Sequence, residues 1–182
     1  MRPHTETPTR RIYRGCGAAP EMMPIPILPE LPERALSRIP ASAVPLHQIM
    51  SRDVICARKD LDVCVVVNLM LEHHIGCIPV VDERNRPIGI VTKSDIVEHV
   101  HAAINCEREG LSLPQDIQAR CAEEVMMPLA FNLSAYATVA HAATMMMSED
   151  THHVMVVSPT EELVGVVSSR DIVGWVLQSD SP

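Results

Sequence analysis

Pro87-Ile88-Gly89-Ile90-Val91-Thr92-Lys93-Ser94-Asp95-Ile96 and Leu163-Val164-Gly165-Val166-Val167-Ser168-Ser169-Arg170-Asp171-Ile172 are one pattern written twice, 76 residues apart. Each passes from a short β-branched run to a hydroxyl residue and, three positions on, to an aspartate. This reads as a strand entering a helix. Thr92 or Ser168 stands at the N-cap, and the acid stands in the first turn, where the helix dipole favours it.

The offset extends well beyond the motif. Adding 76 takes Met50 to Met126, Val63 to Val139, Met70 to Met146, Val80-Val81 to Val156-Val157 and Asp95-Ile96-Val97 to Asp171-Ile172-Val173, with no gap. A repeated unit as a rule cannot bury its apolar face alone. Two copies packed sheet against sheet around a shared core, with approximate two-fold symmetry, are therefore expected.

Outward from the first motif, Cys77 to Val81 and Ile88 to Thr92 read as strands of a hairpin turning at Asp82–Pro87. Ser94 to Asn105 reads as a helix. Upstream, Val54-Ile55-Cys56 is a short strand, and Leu61 to His74 is a helix with Leu61, Val65 and Leu69 on successive turns. Gly110 to Pro114 is a break, and Gln115 to Met126 reads as helix. The second copy repeats this order: strand at Ala130-Phe131-Asn132, helix at Ala137–Ser148, hairpin strands at His153–Val157 and Val164–Ser168, and a closing helix from Asp171 to Leu177. The expected fold is α+β, two β-α-β-β-α repeats spanning 45–108 and 109–182. In residues 1–44, eight prolines from Pro3 to Pro40 interrupt every helix or strand, so a disordered or extended leader is expected. Its apolar Met22, Met23, Ile25, Ile27 and Leu28 also fit a docking arm lying along the folded body or a partner.

Bulk properties exclude several functions. A net charge of −8 on 182 residues gives no basic footprint for nucleic acid, and 2% aromatic content gives no base-stacking surface. No apolar run approaches the roughly 18 residues of a spanning helix, and the first residues lack a signal-peptide layout. The six cysteines form no C-x-x-C pair and read as free thiols in a reducing compartment. A soluble cytoplasmic protein is expected.

The doubled motif has two readings. As a local device it is a helix cap. As a receptor it offers a hydroxyl and free helix N-terminal amides to phosphate, and a carboxylate to both hydroxyls of a ribose. Lys93 and Arg170 add positive charge. Two details favour the receptor: Asp is shorter than the Glu or Gln of the usual capping box, and both copies place a glycine early in the strand in a chain with only seven.

On these residues, with Val80-Val81-Asp82 and Val156-Val157 ahead of them, positions 45–174 resemble a tandem pair of cystathionine-β-synthase-type (CBS) domains, a Bateman module. The resemblance implies two pseudo-symmetric clefts that take AMP, ADP, ATP or S-adenosylmethionine as a regulatory ligand, with no obligatory cofactor. It implies that Asp95 and Asp171 hold ribose, that Thr92 and Ser168 contact phosphate or ribose, and that Lys93 and Arg170 lie beside them. It implies that backbone at Val54, Ile55, Cys56, Ile78, Pro79 and Val80 frames one adenine, and at Ala130, Phe131, Asn132, Val154, Met155 and Val156 the other. It further implies a homodimer that regulates a partner protein in trans. Two departures stand out: Pro79 becomes Met155, a bulky residue expected to narrow the second adenine slot, and Asp82 becomes Ser158. Asp95, with the fuller match around it, is the ribose carboxylate to mutate first.

Two alternatives accompany this reading: an interaction scaffold with empty clefts, and a divalent-metal or redox sensor using His73-His74, His152-His153, Glu149, Asp150 and the cysteines. Adjacent histidines on a helix point in different directions, so they read as helix-end or cleft-edge residues. Met145-Met146-Met147 reads as core filling, and Glu123-Glu124 as a solvent face. No nucleophile elbow, P-loop or paired metal motif appears, so no enzyme is expected.

Overall fold

A computed structural model describes residues 9–14, 19–24, 40–41, 43–104, 119–128 and 131–179. The chain is a mixed α+β protein whose strands are β1 (Thr9–Tyr13), β2 (Glu21–Pro24), β3 (Ile55–Ala57), β4 (Cys77–Val81), β5 (Pro87–Thr92), β6 (Met127–Pro128), β7 (Asn132–Ser134), β8 (His153–Val157) and β9 (Leu163–Ser168). The helices are α1 (Val63–Glu72), α2 (Lys93–Ile104), α3 (Ala122–Val125), α4 (Val139–Ser148) and α5 (Ser169–Ser179), with one 3-10 turn at Leu46–Gln48. The helix expected from Gln115 is present from Ala122; residues 105–118 lie outside the described residues, as does Ala130.

Two compact units form, and each combines segments distant in sequence. One comprises residues 11–21 and 55–130, the other residues 1–10, 22–54 and 131–182. In the first, β4 and β5 make an antiparallel hairpin, β3 runs parallel to β4, and β6 closes against β5 through Gly89↔Pro128 and Ile90↔Met127. The sheet order is β2-β1-β3-β4-β5-β6. In the second unit the order is β7-β8-β9, with β7 parallel and β9 antiparallel to β8. There Ser51 bridges Val166, the repeat counterpart of the Ile90↔Met127 pairing.

Each unit has its own aliphatic cluster. Leu61, Val66, Leu69, Ile78, Val80 and Val91 pack with Ala122 and Val125. Val139, Ala142, Met146, Val154, Val156 and Val167 pack with Val44, Leu46 and Met50. The segment leading into each repeat in sequence thus completes the core built around the other repeat's hairpin. Met126 and Met50 explain the repeated glycines. A methyl at Gly89 would overlap the Met126 side chain and sit 3.0 Å from the Met127 carbonyl oxygen; at Gly165 it would meet Met50 Sδ at 2.5 Å and the Ser51 carbonyl oxygen at 3.1 Å. The glycine read as a sign of a receptor is a packing requirement.

Local backbone chemistry repeats in register as well. Among non-glycine residues, positive φ occurs at His74 and Asp150, and at Asn85 and Glu161, pairs that again differ by 76. His74 and Asp150 end α1 and α4 in left-handed caps, with Ile75 N–H donating to the Met70 carbonyl and Thr151 N–H to the Met146 carbonyl, 3.1 and 3.0 Å. His73-His74 is therefore a helix terminus. In the hairpin turns, Asp82 Oδ1 accepts from the Arg84 and Arg86 amides at 2.8 Å, and Ser158 Oγ accepts from the equivalent Thr160 and Glu162 amides at 3.2 Å. The departure from Asp82 to Ser158 keeps the turn.

The expectation that prolines break every element before residue 44 is overturned at two places. Thr9–Tyr13 holds no proline and alternates half-buried and buried positions, and β1 pairs parallel with β3 through Arg11↔Ile55, Ile12↔Cys56 and Tyr13↔Ala57. Glu21–Pro24 forms β2, its only proline at the last position. The remainder of the leader's apolar run, Ile25, Ile27 and Leu28, lies outside the described residues.

Candidate functional site

β5 delivers Thr92 to the start of α2, and β9 delivers Ser168 to the start of α5. Both corners are fully formed capping boxes. Asp95 Oδ2 accepts from the Thr92 amide at 2.7 Å and from Thr92 Oγ1 at 2.8 Å, while the Asp95 amide donates back to Thr92 Oγ1 at 3.3 Å. At the second corner, Asp171 Oδ2 accepts from the Ser168 amide at 2.7 Å and from Ser168 Oγ at 2.6 Å, with the Asp171 amide returning a bond of 3.2 Å. Aspartate's short side chain was expected to suit this box poorly. It reaches because the strand turns into the helix directly at the N-cap, which brings that residue's amide and hydroxyl together onto one carboxylate oxygen.

Further amides are spent within the protein. Lys93 N–H donates to the Gly76 carbonyl at 3.1 Å, and Ser169 N–H to the His152 carbonyl at 3.0 Å. The expected set of free N-terminal amides thus shrinks to Ser94 and Arg170, whose N–H groups make no hydrogen bond among the described residues. Each corner then offers the second carboxylate oxygen, one amide, and an exposed cation, Lys93 or Arg170.

Strand register decides which residues border these corners. Ile78, Pro79 and Val80 pair with Val91, Ile90 and Gly89; Val154, Met155 and Val156 pair with Val167, Val166 and Gly165. All six lie on interior strands and are buried. Met155, expected to crowd a slot, is 1% exposed. Ile55 and Cys56 lie in β3 and Val54 immediately precedes it; Phe131 precedes β7 and Asn132 begins it, exposed. The residues directly across from the motif hydroxyls are Cys77, opposite Thr92, and His153, opposite Ser168. Sequence reading left Cys77 out of the site and gave His153 only as a cleft-edge or metal-sensing candidate, although the offset of 76 makes them counterparts and they immediately precede the framing triplets.

His153 gives the second corner a character that the first lacks. Burial and the neighbouring His152 push its imidazole below the usual 6.5, and Asp171 only partly offsets them. The ring is therefore mostly uncharged near neutral pH. Cys77 at the matching place is a buried thiol. Among the described residues, no group of three or more His, Cys, Asp and Glu side chains is arranged to hold a metal ion, and no helix is long and apolar enough to cross a membrane. Met146 is buried as core filling requires, whereas Met147 is 85% exposed; Glu123 and Glu124 face solvent.

The family model of the CBS domain matches residues 46–102 and 122–178, one match for each repeat. The chain belongs to the CBS domain family. An uncharacterized protein of Methanopyrus kandleri is 26% identical over 130 residues, 71% of this chain and 61% of its own length. The chain thus spans less than two thirds of that relative. Among solved structures, the CBS domain of a CBS-domain-containing membrane protein from Sphaerobacter thermophilus superposes with a TM-score of 0.60 at 27% identity, covering 78% of this chain and 93% of the other. The CBS domain pair of protein MJ0100, in complex with 5′-methylthioadenosine and S-adenosyl-L-methionine, gives a TM-score of 0.61 at 24% identity, covering 72% and 94%. The two corners are thus equivalent positions in a tandem CBS pair.

Proposed function

We propose that this CBS pair is a regulatory module that binds an adenine nucleotide or a related adenosyl compound and acts on a partner protein in trans. The observation that carries the reading is the division of labour in each aspartate. Oδ2 of Asp95 and of Asp171 is committed to the cap, while Oδ1 makes no hydrogen bond among the described residues. A carboxylate already oriented by its own helix is prepared to accept ribose hydroxyls at little further entropic cost. The Ser94 and Arg170 amides, with Lys93 and Arg170, are the groups assigned to phosphate or to another charged tail. That a solved pair of the same fold carries two adenosyl compounds supports this ligand class. AMP, ADP, ATP and S-adenosylmethionine are the candidates.

A homodimer is part of the proposal. Leu71 and Val97 on one unit, and their counterparts Met147 and Val173 on the other, are large exposed apolar side chains, joined on α5 by Val176 and Leu177. No catalytic role is assigned, and the cytoplasm is the proposed location.

A second reading is favoured by the caps themselves: each aspartate has a structural task whether or not a ligand binds, so an interaction scaffold with empty clefts would keep both. Calorimetric titration of the full chain with AMP, ADP, ATP and S-adenosylmethionine separates the two. The expected result is saturable binding that weakens about 10- to 100-fold on replacing the responsible aspartate by asparagine, the loss of a charged hydrogen-bond acceptor. No heat with any of the four leaves the scaffold.

A further inference from the structure

The two corners look alike, yet the strands beside them do not. β3 is enclosed: β4 pairs along one edge and β1 along the other. Among the described residues, its repeat counterpart β7 is the terminal strand of the sheet β7-β8-β9. Adenine recognised by strand backbone needs N–H and C=O groups not already in a ladder, and a strand paired on both edges has spent them. The backbone assigned to the first adenine includes Ile55 and Cys56, and those two residues lie opposite Arg11 and Ile12.

The register puts β1 level with the first corner. Ala57 pairs with Val80, so Ile55, two residues earlier on the parallel strand, stands level with Ile78, which pairs with Val91, the residue before Thr92. Arg11 extends the same row. The strand is held by fully buried Ile12, by Tyr13 packed against the core cluster, and by the Arg58 amide donating to the Tyr13 carbonyl at 2.9 Å. Just beyond it, Arg14 makes exposed ion pairs with Glu21 and Glu83, 2.8 and 3.7 Å, which hold weakly. Buried Arg10 anchors the strand as well, and β2 pairs along its outer edge, so β1 is a latch whose release a ligand at the Asp95 corner must offset.

We propose that β1 gates the first site: an adenine ligand engages the Asp95 corner only when Thr9–Tyr13 leaves the edge of β3, so the Asp171 corner is the one that fills first. This rests on the adenosyl-binding reading above and reverses the choice of Asp95 as the first residue to mutate. Thr9–Tyr13 becomes the moving part through which occupancy of the first site is reported to a partner.

The test titrates the full chain and its Ile12→Glu variant with AMP, ATP and S-adenosylmethionine. A carboxylate at a fully buried strand position expels β1. The expected result is one tight site in the parent chain, lost in Asp171→Asn. Ile12→Glu gains a second site, at least tenfold tighter than any second event in the parent, and Asp95→Asn removes it. A measurement on the unmodified chain guards against misfolding of the variant: at ligand concentrations that occupy the Asp95 corner, amide exchange at Arg11–Tyr13 should accelerate. Two sites of equal affinity in the parent chain, or slowed or unchanged exchange at 11–13 when the Asp95 corner is filled, overturn the gate. So does binding confined to the Asp171 corner in both proteins, which leaves the adenosyl reading intact. No binding by either protein overturns both.

Discussion

At Gly89, the absent side chain makes room for a methionine that is 37 residues away in sequence. The Met126 side chain and the Met127 carbonyl close over the glycine, and Met50 does the same at Gly165. Gly89→Ala is expected to cost about 1–3 kcal/mol, the usual range for overpacking. In urea denaturation the cost should shrink in a Met126→Ala background, giving a clear coupling in a double-mutant cycle. Strict additivity of the two substitutions would mean that the contact carries no strain. Sequence inspection found both residues as repeat-equivalent pairs, but no local rule joins a strand glycine to a distant methionine. His153 supplies a second residue-scale prediction. Its folded pKa lies below 6.5, so on acidification the unfolded chain takes up a proton that the folded chain resists. The penalty is absent above the unfolded value and grows as pH falls through 6.5 toward the folded value. The melting temperature should therefore fall more steeply in that window for the parent chain than for His153→Gln. Equal slopes would exclude the imidazole as the source.

The elements themselves were largely legible. β4 and β8 fall at the expected boundaries, and β5 and β9 begin one residue early. Helices α1 and α4 start two residues later than the apolar periodicity implied, because Asp62 and Thr138 take the N-cap positions. Less legible was the partnership of the segments before each repeat. Leu46 belongs by sequence to the first repeat, yet it is fully buried in the cluster with Val139, Val154 and Val167. Its backbone is tied there too, the Leu46 amide donating to the Ala137 carbonyl at 2.7 Å. Leu46→Ala is expected to destabilise by about 2–5 kcal/mol. In hydrogen exchange the loss of protection should appear first in α4, β8 and β9, with β4 and β5 affected later. Earlier loosening of β4 and β5 would assign Leu46 to the wrong core. The hydrophobic pattern could not reveal this exchange, because both lead-in segments present the same kind of apolar face.

For the molecule as a whole, amino-acid order determined what depends on neighbours within a few residues. The duplication, the alternation of strand and helix, the reciprocal caps and the absence of a basic surface all follow from local spacing and composition. Tertiary structure decided what depends on choosing among equivalent partners: which lead-in segment completes which core, where Thr9–Tyr13 docks, and how a cap carboxylate divides its two oxygens. Near-identical copies give near-identical pairing preferences, so only the three-dimensional register separates them. The same register makes the two corners unequal, through a strand on β3 that β7 does not share among the described residues and a histidine where the first corner has Cys77.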